Sequence, residues 1–409
     1  MKGSMIIGQS GGPTSAINAS LYGAIAEGFD SPEITRVLGA HHGIAGILSD
    51  DLYDLDAEER EELDLLPYTP SAALGSCRHK LRDPDDDISD FEKILEIFRK
   101  YDCRYFFYIG GNDSMDTCEK ISRYFTRIGY ECQVMGIPKT IDNDLAGTDH
   151  CPGYGSAAKY IATSMLEIYK DCRVYEKRTI TVVEAMGRNA GWLTASAALA
   201  SKFGEGPDLI YLPERPFSLA DFIDEATELY NKQGGLLVVV SEGIADENGI
   251  PLANNAGSEY RDNFGHSQLG GVANLLATIL RSETNAKVRG VELSLLQRCA
   301  SHCASLTDLR EAELAGRIAV QAALEGETGK TVAFRRDPLS SDYHCKTMLI
   351  PLFEVANKEK KFPEEWINEK GNHINDGFID YVLPLIQGEP ERPLLNSLPR
   401  FTTLHRIEA

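Results

Sequence analysis

The chain has 409 residues, of which 62 are acidic and 41 basic, for a formal net charge of -21. That is more chain than one core organises, since single cores stop growing beyond roughly 250–300 residues, so two domains are expected. A strongly acidic balance argues against nucleic acid as a partner. The absence of any apolar run near the roughly 20 residues of a bilayer span argues against the membrane.

In chain order, MII (5–7) predicts a strand ending at GQSGGPTSAIN, followed by a helix from about Ser15 to Glu27. DDLYDLDAEEREELDLL (50–66) and Asp83–Asp87 read as solvated acidic surface. RYFFYIGG (104–111) is a buried strand leading into a helix with an acidic first turn. QVMGIPKT (133–140) is a strand before a carboxylate-rich turn, GSAAKYIATSMLEIY (155–169) a helix, and TITVVEAMG (179–187) a strand before a helix near Asn189. DLIYL (208–212) and GLLVVVSEG (235–243) are further strands with a helix between them. Short apolar strands alternating with helices imply parallel α/β sheets, whose ligands bind beyond the strands' C-terminal ends. Residues 336–409 read as an elaboration packed on the second domain or on a partner subunit.

Nine scattered cysteines, and an N-terminus without the apolar stretch of a signal peptide, predict a reduced cytoplasmic protein. Cys299, His302 and Cys303 lack the second ligand pair expected of a zinc site.

The chemistry-bearing residues gather at strand ends. Gly8-Gln9-Ser10-Gly11-Gly12-Pro13-Thr14 is equally a tight turn or an anion loop, and lacks the GK[ST] ending of a P-loop. Gly110-Gly111-Asn112-Asp113-Ser114 opens a helix, where an acidic residue is commonly only a cap. Pro138-Lys139-Thr140-Ile141-Asp142-Asn143-Asp144 is more informative. One carboxylate suits proton abstraction from a hydroxyl, a second suits a divalent cation, and the lysine suits a transferred phosphoryl group. Glu184-Ala185-Met186-Gly187-Arg188, Ser241-Glu242-Gly243, Arg289 with Gln297-Arg298, and the basic patch Leu74–Lys80 complete the set.

Taken in register from about residue 5 to about 333, these clusters resemble the phosphofructokinase family. SGG, GGxDS, TIDND, MGR, SEG and QR fall in its order, and GKTVAF (329–334) resembles its closing strand. The resemblance implies two Rossmann-like three-layer α/β/α domains with mostly parallel sheets and an active site between them. A donor domain would comprise residues 1–150 with about 297–335, and a sugar-phosphate domain 151–296. Asp142 then matches the general base acting on the 1-hydroxyl of fructose 6-phosphate. Thr140, Asp142, Met186, Gly187, Arg188, Glu242, Arg289 and Arg298 match the sugar-phosphate contacts. Gly12, Arg78, Lys80 and Ser114 fall at the donor, with Ser114 as helix cap and His79 beside them, while Asn112 and Asp144 stand at Mg2+-linked positions. Asp113 and Lys139 stand where ATP-dependent members usually carry glycine, which implies pyrophosphate as donor.

Three positions depart from the family pattern. Asn112 stands for an Asp and Leu295 for a His or Tyr. Thr179 stands for an Arg supplied by a neighbouring subunit, with Arg178 adjacent. The expectation is a Mg2+-dependent, reversible pyrophosphate:fructose-6-phosphate 1-phosphotransferase, a homodimer or homotetramer. Its alternatives are an ATP-dependent enzyme, an acceptor such as sedoheptulose 7-phosphate, and a catalytically silent regulatory subunit. The last would be marked by loss of Asp142 or Lys139, and both are present.

Overall fold

The computed structural model describes residues 1–174, 176, 179–256, 271–337 and 342–409. The alternating runs resolve into two main sheets. The first holds β1 (Gly3–Gln9), β2 (Ile34–Ala40), β3 (Leu52–Asp54), β4 (Cys103–Gly110) and β5 (Gln133–Pro138). The second holds β6 (Ile180–Ala185), β7 (Leu209–Tyr211), β8 (Leu236–Ser241) and β9 (Val288–Glu292). The chain then returns to the first sheet as β10 (Lys330–Arg336) and β11 (Cys345–Pro351). The orders are β11-β10-β5-β4-β1-β2-β3 and β7-β8-β6-β9. Among the described residues of these two sheets, only the edge strands β3 and β11 run antiparallel to their neighbours.

Strand periodicity sends alternate side chains to opposite faces, and both faces of each sheet are covered. Met5 and Ile7 of β1, with Tyr105 and Phe107 of β4, pack under the helices Ile17–Asp30 and Leu306–Leu324. Ile6, Phe106 and Tyr108 face the helices Ser89–Lys100 and Asn112–Ile128. In the second sheet Val183 and Val239 pack on the helix Tyr154–Cys172, while Val182 and Val238 face the helices Leu219–Gln233 and Val272–Thr284. The fold is therefore α/β with mostly parallel sheets. In the first sheet β2 lies on one side of β1 and β4 on the other. This opens a crevice at the C-terminal ends of β1 and β4, where ligands bind in sheets of this kind.

Several boundaries move. The first helix starts at Ile17 rather than Ser15, because the Thr14 hydroxyl accepts from the Ile17 N–H at 2.9 Å. After Asn189 the chain makes only the short helix Trp192–Ala195 before the tighter 3-10 turns of Ser196–Phe203.

The acidic stretch 50–66 is not uniformly solvated surface. Glu58 is buried, and its carboxylate receives the backbone N–H groups of His405 and Arg406 at 2.8 and 2.7 Å. Glu62 takes the guanidinium of Arg400 and the Thr403 N–H. The carboxylates that sequence assigns to water instead anchor the chain's last residues.

The segment after residue 336 does not simply sit on one half. β11 extends the first sheet, and Leu352 and Val355 enter its core. Phe362, Ile367, Phe378 and Val382 then join the core of the second sheet. A fully buried side chain of this size contributes roughly 1.5–3 kcal/mol, so the segment is an integral tie between the two units.

Candidate active site

The strand ends of both sheets meet at one cleft of about 870 Å³. Gly12, Arg78, Lys80, Asn112, Asp113, Ser114, Lys139, Thr140, Asp142 and Asp144 line it from the first sheet's side. Met186, Arg188, Glu242 and Arg298 line it from the other.

The loop after β1 is shaped for close approach. Gly11 has φ +74°, a conformation open to glycine, and a Cβ built there would lie 3.4 Å from Lys139 Nζ. A Cβ on Gly12 would lie 3.5 Å from Arg298 Nη1. Lys139 follows β5, is nearly fully buried, and donates from Nζ to the Gly12 carbonyl at 2.7 Å. Burial pulls its ammonium down to about 8 against the opposing pull of Asp142, and Arg78 and Arg298 add to the lowering. Arg298 is itself depressed by burial and by Arg78. Three cations thus share the ground around two glycines, an arrangement that suits a multiply charged anion.

The turn after β5 is held tightly. The Thr140 hydroxyl accepts from the Asp142 N–H at 3.0 Å. Asn143, buried with φ 54°, accepts from the Cys151 N–H at 2.9 Å and donates to the Tyr381 hydroxyl at 2.9 Å. Asn143 is therefore the pin of the turn, and Asp142 and Asp144 open onto the cleft on either side of it. Desolvation, with Asp144 and Glu242 adding like charge, pushes the Asp142 carboxyl up to about 7, against Lys139 and Arg188. Asp144 is raised by burial and by Glu359. A carboxyl held near neutrality beside a cleft can exchange a proton with a bound hydroxyl.

From the second sheet, the Glu242 carboxyl is pushed up to about 7 by burial and receives the Gly187 N–H at 3.4 Å. Gly187, at φ +125°, is behind the cleft wall, where its carbonyl accepts from Ser241 Oγ at 2.6 Å. It shapes the loop carrying Met186 and Arg188. Gln297 steadies the same loop, accepting from the Met186 N–H at 3.0 Å.

Some expected residues stand elsewhere. Ser114 does not cap its helix. The cap position is Gly111, without a side-chain bond, and Ser114 Oγ reaches across to Ser10 Oγ at 3.0 Å. Asp113 makes no cap either, and lies 3.6 Å from Lys80 Nζ. His79 turns away to Asp90 at 3.1 Å. Arg289 is not at the cleft. It projects from edge strand β9 to Asp171 at 3.2 Å, beside a separate cavity with Thr181 and Val291. Thr179 is buried with its hydroxyl on the Cys172 carbonyl, and Arg178 lies outside the described residues. Cys303 Sγ lies on the Thr163 hydroxyl at 3.7 Å, and among the described residues Cys299, His302 and Cys303 do not converge as ligands.

Sequence reasoning missed Asn357 and Glu359, which line the cleft from the C-terminal segment. No strand end or glycine turn advertises them. Their only local signal is an asparagine able to adopt positive φ, which Asn357 does at 58°.

The phosphofructokinase family model matches residues 4–323. A pyrophosphate–fructose 6-phosphate 1-phosphotransferase of Halomonas elongata is 43% identical over 98% of this chain and 96% of its own length. A protein of the same name from Xanthomonas campestris is 41% identical over 99% and 97%. Among solved structures, a pyrophosphate-dependent phosphofructokinase from Nitrosospira multiformis superposes with a TM-score of 0.89 at 37% identity, covering 99% of this chain and 97% of that one. The match runs through both sheets and takes in the loops that meet at the cleft: the chain belongs to the phosphofructokinase family.

Proposed function

We infer that the protein transfers a phosphoryl group from pyrophosphate to the 1-hydroxyl of fructose 6-phosphate, reversibly, giving fructose 1,6-bisphosphate and phosphate. The carrying observation is Asp142, a carboxyl raised to about 7 between a buried lysine at the glycine loop and the Glu242–Arg188 wall opposite. Relatives alike over nearly the whole chain are named for this reaction and this donor.

Asp142 takes the proton of the attacking 1-hydroxyl as the oxygen approaches phosphorus. Lys139 and Arg78 hold the donor's charge over Gly11 and Gly12, and Lys139 balances the phosphate that leaves. Arg298, which the resemblance gives to the sugar phosphate, also reaches the glycine loop beside Gly12 and so stands between the two substrates. Asp113, 3.6 Å from Lys80 Nζ, puts a carboxylate side chain where the next phosphate of a longer donor would pass. Ser114, tied to Ser10, fixes the donor loop against its helix. Thr140, Met186, Arg188 and Glu242 place the sugar phosphate, with Gly187 shaping the loop behind Met186 and Arg188. Positioning and charge stabilisation supply most of the rate in such a transfer.

Mg2+ fits the donor set. Asp144 offers hard carboxylate oxygen at the cleft, and Mg2+ typically binds through one or two carboxylates plus substrate phosphates. Bound there, it would neutralise charge on the phosphates.

In this reading residues 1–150 with about 297–335 form the donor unit and 151–296 the sugar-phosphate unit. The protein works in the cytoplasm, in keeping with nine free thiols, five of them buried. Among the described residues no helix is long and apolar enough to cross a membrane. Arg289, whose side chain is 44% exposed and off its own cleft, serves the sugar phosphate of a neighbouring subunit in a homodimer or homotetramer.

The test is product formation from fructose 6-phosphate and Mg2+ with pyrophosphate or ATP. Turnover with pyrophosphate alone is expected. Turnover with ATP alone would overturn the donor assignment, and turnover with sedoheptulose 7-phosphate only would overturn the acceptor.

A further inference from the structure

The segment Asn357–Lys360 lies beyond the part of the chain that the family model matches. It nevertheless forms a wall of the cleft, through Asn357 and Glu359. The chain enters the cleft by a turn at Asn357, whose φ is 58° and whose amide donates to Asp116 Oδ1 at 2.8 Å. Asp116 is itself fixed by the buried Lys120 at 2.6 Å. From there the segment touches both lips of the cleft.

On the first lip, Asn112 meets the backbone of Lys358 twice. Its Nδ2 donates to the Lys358 carbonyl at 2.7 Å, and its Oδ1 accepts from the Lys358 N–H at 3.3 Å. The Lys360 N–H donates to the Asp144 carbonyl at 2.7 Å, and Glu359 bridges to Leu145. On the second lip, Glu359 Oε1 accepts from Asn189 Nδ2 at 2.8 Å, one residue past Arg188. The Lys360 carbonyl accepts from Trp192 Nε1 at 2.9 Å. The segment is a strap across the cleft.

We propose that Asn357–Lys360 is part of the active site, a strap setting the distance between the donor loop and the sugar-phosphate wall, and that Asn112 is its clasp rather than a cation ligand. The inference rests on the pyrophosphate reading for what the cleft binds. An amide is the side chain of this length that both donates and accepts at one peptide group. An aspartate in its place would turn a carboxylate oxygen toward the Lys358 carbonyl, where acceptor faces acceptor. The asparagine is thus chosen by the strap. Its role is positioning: Asn112 borders the cleft, but both polar atoms of its side chain are taken up by the Lys358 backbone, and the strap in turn brings the Glu359 carboxylate in beside Asp144.

The two roles for Asn112 predict opposite results for Asn112→Asp. As a clasp, the variant loses a donor and gains repulsion. The KM for pyrophosphate should rise about tenfold, the size expected when a hydrogen-bonded group loses its partner. The KM for fructose 6-phosphate should move less than twofold, and the Mg2+ needed for half-maximal rate should not fall. Hydrogen exchange of the peptide 357–361 should quicken in the purified variant without substrates. Asn112→Ala should do the same to a smaller degree, having no carboxylate, and covers the case in which the aspartate variant fails to fold. A lower Mg2+ requirement in Asn112→Asp with unchanged exchange would make Asn112 a cation ligand and overturn the proposal. Unchanged exchange and unchanged pyrophosphate KM in both variants would overturn it as well. A wild-type protein without pyrophosphate turnover would instead count against the reaction, and the exchange experiment would still decide the clasp.

Discussion

The two ends of the cleft are built on different plans. At the donor end the groups are anchored within the chain: Lys139 on the Gly12 carbonyl, Lys80 beside Asp113, and the segment 357–360 closing one side. At the sugar end the walls stop short. Leu295 and Leu296 stand 55% and 58% exposed, and Arg289 faces away to Asp171. Leu295 lines the cleft itself, and in the proposed oligomer a neighbouring copy covers this side. On the proposed reading, donor choice is written within one chain, whereas sugar-phosphate affinity depends on a neighbour.

Removing the group between the two ends breaks the comparison most completely. Asp142→Asn keeps shape and hydrogen bonds but cannot take a proton, so kcat should fall by roughly 10²–10⁴, the range for a lost general base. Sugar-phosphate binding, measured by calorimetry, should persist. The same variant should be more stable at neutral pH. The folded state holds the Asp142 proton more tightly than the unfolded chain does. Stability is therefore full below the usual carboxylate range, and is lost as pH rises toward about 7. Asparagine has no proton to lose. Its advantage should grow between about pH 4 and 7 and reach on the order of 2 kcal/mol, discounted because the carboxyl opens onto cleft water. Denaturant melts at pH 5 and 8 would check this, and an equal gap at both would contradict the raised carboxyl.

Much of this was legible because parallel sheets put function at strand ends. Apolar runs such as Tyr105–Ile109 fixed the strands, and glycine or carboxylate clusters just beyond them marked the loops that meet. What was not legible came from chain far away in sequence. Asn112 is a departure from a motif until Lys358 is seen against it, 246 residues on. Glu58 and Glu62 look like solvated charge until the tail arrives to use them. Arg289 carries a matching residue type, but the alternation of an edge strand decides which way it faces. Motif and periodicity report local structure: the partners of Asn112, Glu58 and Glu62 are set by long-range docking, and the direction of Arg289 by the register of an edge strand that a motif match does not read.

The pH profile gives an intermediate effect and tests the joint between the ends. In the proposed roles, the forward reaction needs Asp142 ionised and Lys139 protonated. kcat/KM should fall about tenfold per unit below pH 7 and again above pH 8, leaving a narrow maximum. If Glu242 must also be ionised to place the sugar, the acid limb steepens toward a slope of two. In the reverse direction Asp142 must start protonated, so that limb should invert and the rate decline above pH 7. Measured in both directions, parallel profiles would remove Asp142 from proton transfer.

The smallest expected effect sharpens the comparison at the sugar end. Arg289→Ala should raise the KM for fructose 6-phosphate about tenfold, the loss typical of one charge-assisted hydrogen bond, and leave that for pyrophosphate unchanged. A cis and a trans role give the same single-variant result, so the decisive experiment mixes chains. Hybrids of Arg289→Ala with the inactive Asp142→Asn contain sites whose base comes from the first chain and whose arginine comes from the second. If the arginine acts across the interface, co-refolded mixtures should regain a fraction of sites with wild-type KM. If it acts within its own chain, every active site in the mixture lacks Arg289 and the high KM persists at all mixing ratios. The second outcome would require Arg289 to leave Asp171 and swing into its own cleft, and would remove the argument that the sugar end is completed by a neighbour.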